Sequence, residues 1–239
     1  MIRPSLEHRP SAPASQGAAD RERPAGRVTR REQARSVETR RIILEASLVE
    51  FAEKGFEAAS TRGIGERAGL HHTLISYHFG CKDGLWRATA EHFFGEIHSR
   101  FEAAVPADAG LEPIDQVRRF VRSLWHFSLE TPALHHFMVR ESSEGGPRLQ
   151  WLMDTIVPSL RQDMLAAIAA AQADGDLPGG PPALLFYFIV AVVSVPAALG
   201  AEIRYGAGLD LKADVVAEQY WTLVEQMVFG RKSFKVPQI

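Results

Sequence analysis

The chain contains a single cysteine, Cys81, among its 239 residues. One thiol cannot form an intramolecular disulfide, so a fold held together by disulfide bonds is excluded, and a reducing compartment is indicated. The N-terminus also lacks the apolar segment of a secretory signal. We therefore expect a cytoplasmic protein that is stabilised by an ordinary hydrophobic core.

Recognisable catalytic and metal-binding motifs are missing as well. The sequence has no glycine-rich phosphate loop, no Gly-x-Ser-x-Gly elbow and no zinc-type cluster of Cys and His. Three histidines, at 126, 135 and 136, lie in one region, but their spacing does not define a ligand geometry. We expect neither an enzyme nor a bound metal or cofactor.

The net charge is small, at −2. A chain with this balance is not basic throughout, so a nucleic-acid-binding protein of this composition must concentrate its positive charge locally. Residues 1–36 concentrate positive charge, because their arginines outnumber their acidic residues. Prolines also interrupt this segment. With few large apolar side chains they are predicted to be disordered. They are either a solvated tail or a basic arm that follows DNA phosphates or enters a minor groove.

No stretch alternates persistently between apolar and polar residues, which argues against a β-sheet. Apolar residues recur instead at helical spacing, and prolines and glycines stand between the helical segments. An all-α fold is therefore predicted, with residues 37–86 forming an N-terminal three-helix domain and 87–239 a larger helical bundle. After the first domain the predicted helices are 82–104, 113–130, 132–143, 147–173, 182–204 and 212–229.

The segment from Ser60 to Lys82 reads STRGIGERAGLHHTLISYHFGCK and predicts a helix-turn-helix. Ser60 suits the N-cap of the first short helix, and Gly69 suits the turn between the two. A small apolar core would hold their angle, formed by Ile64, Ala68, Leu70 and Ile75. Polar side chains would then project outward toward base edges and phosphates of a major groove, namely Arg62, His72, Thr73, Ser76, Tyr77 and His78. A purely structural helical hairpin is the alternative.

From Thr39 to Trp86 the sequence resembles the DNA-binding domain of the TetR (tetracycline-repressor) family. The resemblance lies in TRRIILEASLVEFAEKGFEAASTRGIGERAG and LISYHFGCKDGLW, and Tyr77-His78-Phe79 followed by Lys82 is its most specific part. It implies an all-helical homodimer that binds double-stranded DNA, with a C-terminal domain for dimerisation and for a small-molecule effector. It also implies a repressor that leaves a palindromic operator when the effector binds.

The resemblance assigns roles to individual residues of the helix-turn-helix. Arg62 is expected to contact a base or a phosphate, and Tyr77 and His78 the DNA backbone. Lys82 is expected to contact a phosphate at the start of the fourth helix, which would couple DNA to the bundle. The positions expected to read bases are His72, Thr73 and Leu74. The sequence departs from the family pattern at four positions, where His71 and Cys81 replace the usual capping residues and Gly63 and Gly65 lie inside a helix.

Cys81 would lie at a helix N-terminus beside Lys82, an environment that favours a reactive thiol. A redox switch is therefore conceivable, but a small residue tolerated at a cap is the favoured interpretation.

Residues 183–201 form an uncharged apolar run that approaches the length of a membrane span. A regulator tethered to the membrane through this run is the alternative function. The favoured interpretation is a core helix with no membrane contact, because charged residues follow it directly and aromatic belts are missing.

The bundle is rich in large apolar side chains, which predicts a cavity for a small, largely apolar effector. The residues predicted to line it are Trp125, His126, Phe137, Arg140 and Tyr187. The dimer interface is predicted on 182–204 and 212–229, with the broadest apolar surface at Val192, Val193, Tyr220, Trp221, Val224, Met227 and Val228.

Overall fold

A computed structural model describes residues 25–106 and 108–230. The described residues fall into two units that divide after Glu38. The described residues form helices and no strand, as predicted. The α-helices are α1 (Ala25–Ala58), α2 (Thr61–Ala68), α3 (His72–Phe79), α4 (Lys82–Ala104), α5 (Pro113–Glu130), α6 (Pro132–Glu144), α7 (Pro147–Trp151), α8 (Val157–Ala173), α9 (Pro182–Ala198), α10 (Gly200–Ala207) and α11 (Asp214–Val224).

The first helix begins earlier than the sequence predicts. Residues 25–36 are helical in α1, whereas they were expected to be disordered, and residues 1–24 lie outside the described part of the chain. Extending an existing helix adds one hydrogen bond for each residue fixed, so arginine-rich residues join it at little cost. At the other end Gly55 interrupts the helical backbone with a positive φ of 76° and a ψ of 170°, and the helix resumes until Ala58.

Two hydrophobic clusters stabilise the unit formed by residues 39–239. The first joins α1–α4 to the start of the bundle around the buried side chains of Phe51, Trp86 and Phe137. The second lies between α5, α8, α9 and α11 around Trp125, Ile168 and Val193. The domain boundary predicted at residue 86 therefore falls inside the first cluster, because Trp86 packs against Phe137 and Trp151.

The predicted helix 147–173 is continuous but contains a π-helical turn at Leu152–Ile156. Pro158 follows this turn, and its ring would clash with a carbonyl in a regular α-helix. The wider turn accommodates the ring, as the Val157 N–H bonds to the Leu152 carbonyl five residues earlier.

The predicted helix 182–204 is broken. It consists of α9 and α10, which meet at Leu199 with a bend of 65°. No single helix among the described residues is long and apolar enough to cross a membrane, and α9 and α10 meet that criterion only when they are taken together, by length and composition. The membrane-tethered alternative finds no support in these helices.

Most of the residues predicted for the dimer interface lie inside the protomer. Val193, Trp221, Val224 and Val228 are buried in the second cluster, whereas Met227 is exposed. The helix at the C-terminal end carries apolar side chains on two faces, and helical spacing alone does not tell which face turns inward. The exposed apolar side chains of α9 and of the segment from α11 onward are Leu184, Tyr187, Phe188, Val215, Leu223 and Met227.

Candidate nucleic-acid interface and internal cavity

Helix α3 has one buried face and one exposed face. Ile75 is buried against Ile64 of α2, and Leu70 in the turn packs on the same core. The opposite face is exposed at His72, Thr73, Leu74, Ser76 and Tyr77, and Tyr77 retains 81% of its accessible surface. This arrangement exposes hydroxyl, imidazole and phenol groups that can meet base edges or phosphates, although the Thr73 hydroxyl already contacts Nδ1 of His71 at 2.8 Å.

The two glycines of α2 are explained by close contacts. A Cβ on Gly65 would lie 2.9 Å from the Leu70 carbonyl oxygen and 3.2 Å from the His72 nitrogen. A Cβ on Gly63 would lie 2.5 Å from Oε1 of Glu50, a buried carboxylate that pairs with Lys54. Glycine at these positions therefore lets α2 approach both α1 and the turn that leads into α3, which outweighs its low helix propensity.

Three helices begin with a side chain that accepts a backbone N–H of the first turn, and two of these caps, His71 and Cys81, are unusual. The Ser60 hydroxyl accepts the Gly63 N–H at 3.0 Å, as predicted. His71 accepts the Thr73 N–H at Nδ1 at 3.4 Å, and Cys81 accepts the Gly84 N–H at Sγ at 3.4 Å. The starts of α3 and α4 are thus capped by a ring nitrogen and a sulfur.

Arg62, predicted to contact DNA, is exposed on α2 and pairs with Glu66 on the same helix. His78 is half-buried at the C-terminal end of α3. Both side chains lie on the helix-turn-helix, as the sequence predicts, but His78 is less accessible than its neighbour Tyr77.

Lys82 is oriented differently from the prediction. Its ammonium group donates to the carbonyl oxygens of Phe56, Glu57 and Ala59 at 2.8, 3.1 and 3.2 Å, and it lies over the Phe56 ring. These three bonds use all three of its N–H groups. Lys82 therefore joins α4 to the end of α1 in this structure, and the expected phosphate contact does not fit this arrangement.

A polar clamp connects α6 and α7 to the N-terminal helices. Arg140 donates to the carbonyl oxygens of Ala52 and Glu53 in α1, at 3.3 and 3.0 Å. The buried carboxylate of Glu141 accepts hydrogen bonds from Trp86 Nε1 at 3.1 Å and from Arg148 Nε at 3.2 Å. Burial raises the pKa of Glu141, although Arg148 and the bond from Trp86 oppose this effect. Arg140, predicted to line the effector cavity, belongs to this clamp instead.

The bundle contains a cavity of about 440 Å³, bounded by α4, α5, α6, α8, α9 and the π turn before α8. Its wall is mostly apolar, and a few polar side chains reach it, among them Ser128, Ser194, Thr131, His135 and Tyr187. This volume and lining are those of a small-molecule site.

Of the five side chains predicted to line the cavity, Tyr187 does so. Trp125 and Phe137 are buried in the two hydrophobic clusters, and His126 lies at a separate surface depression with Lys212 and Glu218. Sequence reasoning missed Ser128 and Ser194, whose hydroxyls lie 3.4 Å apart, because isolated serines on apolar helices carry no distinguishing pattern.

The family model of the bacterial regulatory proteins of the tetR family matches residues 43–89, the segment that holds α2, α3 and their capping residues. Residues 43–89 are thus similar to the DNA-binding part of that family. Among the relatives of this chain, the HTH-type transcriptional repressor Rv3405c of Mycobacterium tuberculosis is 30% identical over 131 residues. That match covers 55% of this chain and 65% of the relative, just under two thirds of the relative's length.

Solved structures extend the likeness beyond the matched segment. The ketosteroid transcriptional regulator KstR2 of Mycobacterium tuberculosis has a TM-score of 0.59 at 20% identity, covering 80% of this chain and 94% of that one. The hemolysin II transcriptional regulator HlyIIR has a TM-score of 0.57 at 17% identity, covering 79% and 97%. At these identities the two structures bear on the fold alone, which this chain shares with them over most of its length.

Proposed function

We propose that this chain is a DNA-binding transcriptional repressor that acts as a homodimer on a palindromic operator and is released by a small, largely apolar effector. The observation that carries the proposal is helix α3, where buried Ile75 lies opposite an exposed polar face. The match of residues 43–89 to the TetR family model supports the same function, and one relative of this chain is named a repressor. A protein of this kind acts by binding, so we assign no catalytic residue, and it would work in the cytoplasm with the DNA it binds.

On this proposal the exposed residues of α3 divide by role. His72, Thr73 and Leu74 at the N-terminal end of the helix would face base edges, where they would set sequence preference. Arg62, Ser76, Tyr77 and His78 would contact the backbone and supply affinity that depends on salt. Lys82 would act indirectly, by holding α4 on the end of α1.

A second copy of the chain would present α3 twice. Leu184 and Phe188 are one helical turn apart on α9, and Leu223 and Met227 are one turn apart at the C-terminal end. These apolar side chains are exposed in the protomer, and apolar surface of this kind is usually covered by a partner. A twofold axis through this face would pair it with itself and place the two copies of α3 on successive half-sites of a palindrome.

Release by the effector would be a shift between two arrangements of the dimer. In one arrangement the two copies of α3 fit successive half-sites, and in the other they do not. An effector that binds the second arrangement more tightly lowers operator affinity by the ratio of its affinities for the two arrangements. Both α4 and α6 border the cavity and contact the N-terminal helices, so either can transmit the change.

The test is binding of the purified protein to the intergenic DNA beside its own gene, measured by fluorescence anisotropy over a range of salt concentrations. We expect the specific duplex to bind at least about a thousandfold more tightly than a random one. His72→Ala should weaken binding to the specific duplex by about 1–3 kcal/mol and relax the sequence preference at one base pair. Tyr77→Ala should weaken binding to all duplexes alike.

Glu91→Gln, on the exposed face of α4, is the matched control and should bind as the parent does. A monomer that binds every duplex with the same weak affinity, lost in moderate salt, would overturn the proposed function.

A further inference from the structure

The cavity wall carries no permanently charged side chain. None of its lining residues is an Asp, Glu, Lys or Arg. The titratable imidazole of His135 reaches it, but burial and the neighbouring His136 lower the pKa of His135, which keeps that ring neutral near pH 7. A charged group placed deep in this cavity would lose its hydration without gaining a counterion, which is strongly unfavourable. The interior therefore suits an uncharged, apolar part of a ligand.

The rim of the cavity is different, because a guanidinium group lies there. Arg161, one residue after the lining residue Leu160, donates from Nη1 to the hydroxyl of Tyr187 at 3.4 Å, and Tyr187 itself lines the cavity. Tyr187 is half-exposed, so this pair borders both the cavity and solvent.

Arg161 also has no acidic partner among residues 25–106 and 108–230. Arg118 and Arg122 of the bundle, by contrast, pair with Glu225 and Glu218, and Arg119 and Arg140 donate to backbone carbonyl oxygens. In the described part of the chain no carboxylate lies within 4.0 Å of Arg161, whose hydrogen bond goes to a neutral phenol. A guanidinium has five N–H donors in a planar fork that fits a carboxylate, and most of those of Arg161 remain available.

We propose that the effector is an amphiphile whose apolar tail fills the cavity and whose carboxylate head binds Arg161 and Tyr187 at the rim. This inference rests on the proposed function in one respect, namely that the cavity is the effector site. The division of the ligand follows from the division of the wall, because the uncharged interior takes the tail and the unpaired guanidinium takes the anion. Tyr187 would donate its hydroxyl hydrogen to the same carboxylate.

The test is calorimetric titration of the full-length protein with straight-chain carboxylates of increasing length, alongside 1-alkanols and alkylamines of the same length. Carboxylate affinity should rise about fourfold with each added methylene until the cavity is full. The alkylamines should bind at least tenfold more weakly than the carboxylates. Arg161→Gln should weaken carboxylate binding about tenfold or more while leaving alkanol binding unchanged.

Two controls keep the result specific to the rim. Arg204→Gln removes a guanidinium from α10, away from the cavity, and should change neither affinity. Tyr187→Phe keeps the ring and removes one donor, so its loss of carboxylate affinity should be smaller than that of Arg161→Gln.

The proposal would be overturned by alkanols that bind as tightly as carboxylates, by an Arg161→Gln variant with unchanged carboxylate affinity, or by carboxylates that fail to bind at any length. These failures differ from failure of the proposed function, which is measured separately as specific binding of the unliganded protein to its operator. A neutral alkanol that binds as tightly as the carboxylate of the same length and releases the operator would overturn the proposed carboxylate head group but not the proposed repressor function.

Discussion

At the scale of single residues, Gly65 is where helix propensity and packing oppose each other. By propensity alone, Gly65→Ala should stabilise α2 by up to about 1 kcal/mol. The new Cβ would lie 2.9 Å from the Leu70 carbonyl and 3.2 Å from the His72 nitrogen, both backbone atoms that cannot move alone. We expect a net loss of about 1–3 kcal/mol on denaturant unfolding, because overpacking outweighs propensity.

Gly95 provides the matched control. It is exposed in α4, and a Cβ added there meets nothing within 4 Å. Gly95→Ala should therefore raise the unfolding free energy by roughly 0.5–1 kcal/mol. If both variants shift stability in the same direction, the close approach at Gly65 is not what requires glycine.

Glu141 predicts a dependence of stability on pH. Because burial raises the pKa of Glu141 in the folded state, the unfolded chain releases this proton first as the pH rises. The stabilising contribution of Glu141 to the free energy of unfolding is therefore fully present below 4.5, the pKa of the unfolded chain. It is lost as the pH rises through the pKa of the folded state. Glu141→Gln removes the titration but keeps an acceptor for Trp86, so it should gain stability relative to the parent between pH 4 and pH 7.

The measurement is the difference in unfolding free energy between parent and Glu141→Gln at several pH values. Glu144→Gln is the matched control, because Glu144 contacts the same Arg148 but is more exposed. A difference that stays constant from pH 4 to pH 7 would contradict the prediction.

At the scale of elements, Tyr220 compensates for a proline. Pro196 in α9 has no N–H to donate to the Val192 carbonyl one turn earlier. The Tyr220 hydroxyl of α11 donates to that oxygen instead, at 2.6 Å, and burial raises the pKa of Tyr220, which keeps the hydroxyl protonated. Tyr220→Phe should lower the free energy of unfolding by about 1–3 kcal/mol, since a partly buried carbonyl loses its partner.

A double-mutant cycle tests this explanation. In a Pro196→Ala background the restored N–H can reach Val192, so the loss caused by Tyr220→Phe should shrink. Equal losses in the two backgrounds would show that the hydroxyl does not replace the missing helix bond.

Helix α6 has two roles on two faces, which predicts how effector binding is transmitted. Its residues Met138 and Ser142 face the cavity, and Arg140 binds the carbonyls of Ala52 and Glu53. Arg140→Ala should leave effector affinity for the free protein nearly unchanged and reduce the effector-induced loss of operator affinity severalfold. Allosteric coupling is commonly 5–150-fold, so a reduction of this size is measurable in paired titrations.

Arg119→Ala serves as the control, because this guanidinium of α5 donates to the carbonyl oxygen of Ala104 and not to α1. Unaltered coupling in Arg140→Ala would assign transmission to α4 alone.

The sequence was sufficient for those elements whose signals are local. The N-cap at Ser60, the turn at Gly69 and the buried Ile75 follow from side-chain chemistry and helical spacing, and the structure confirms them. The orientation of Lys82 and the lining of the cavity depend on residues distant in sequence, such as Phe56 and Leu160. The C-terminal helix is apolar on two sides, one with Trp221 and one with Met227. Which side is buried is likewise decided by the helices packed against it, not by its own sequence.

At the scale of the whole molecule, the exposed apolar face of α9 and the C-terminal segment predicts a dimer that one charge can disrupt. Phe188 and Met227 are 53% and 70% exposed in the protomer. In a twofold interface each substitution occurs twice, so Phe188→Glu places two uncompensated carboxylates where apolar contacts are expected. Sedimentation velocity should show a dimer for the parent and a monomer for this variant, with Met227→Glu behaving alike.

Ser99→Glu adds the same charge to the exposed surface of α4 and should remain dimeric. The monomeric variants should keep their helical circular dichroism, because the substituted side chains contribute little to the protomer core. They should nevertheless lose most of their preference for a palindromic duplex while retaining weak binding to a half-site, since one copy of α3 reads one half-site. A Phe188→Glu protein that remains dimeric and binds its operator normally would place the interface on another face, and the spacing of the two recognition helices would then have to be derived from that face.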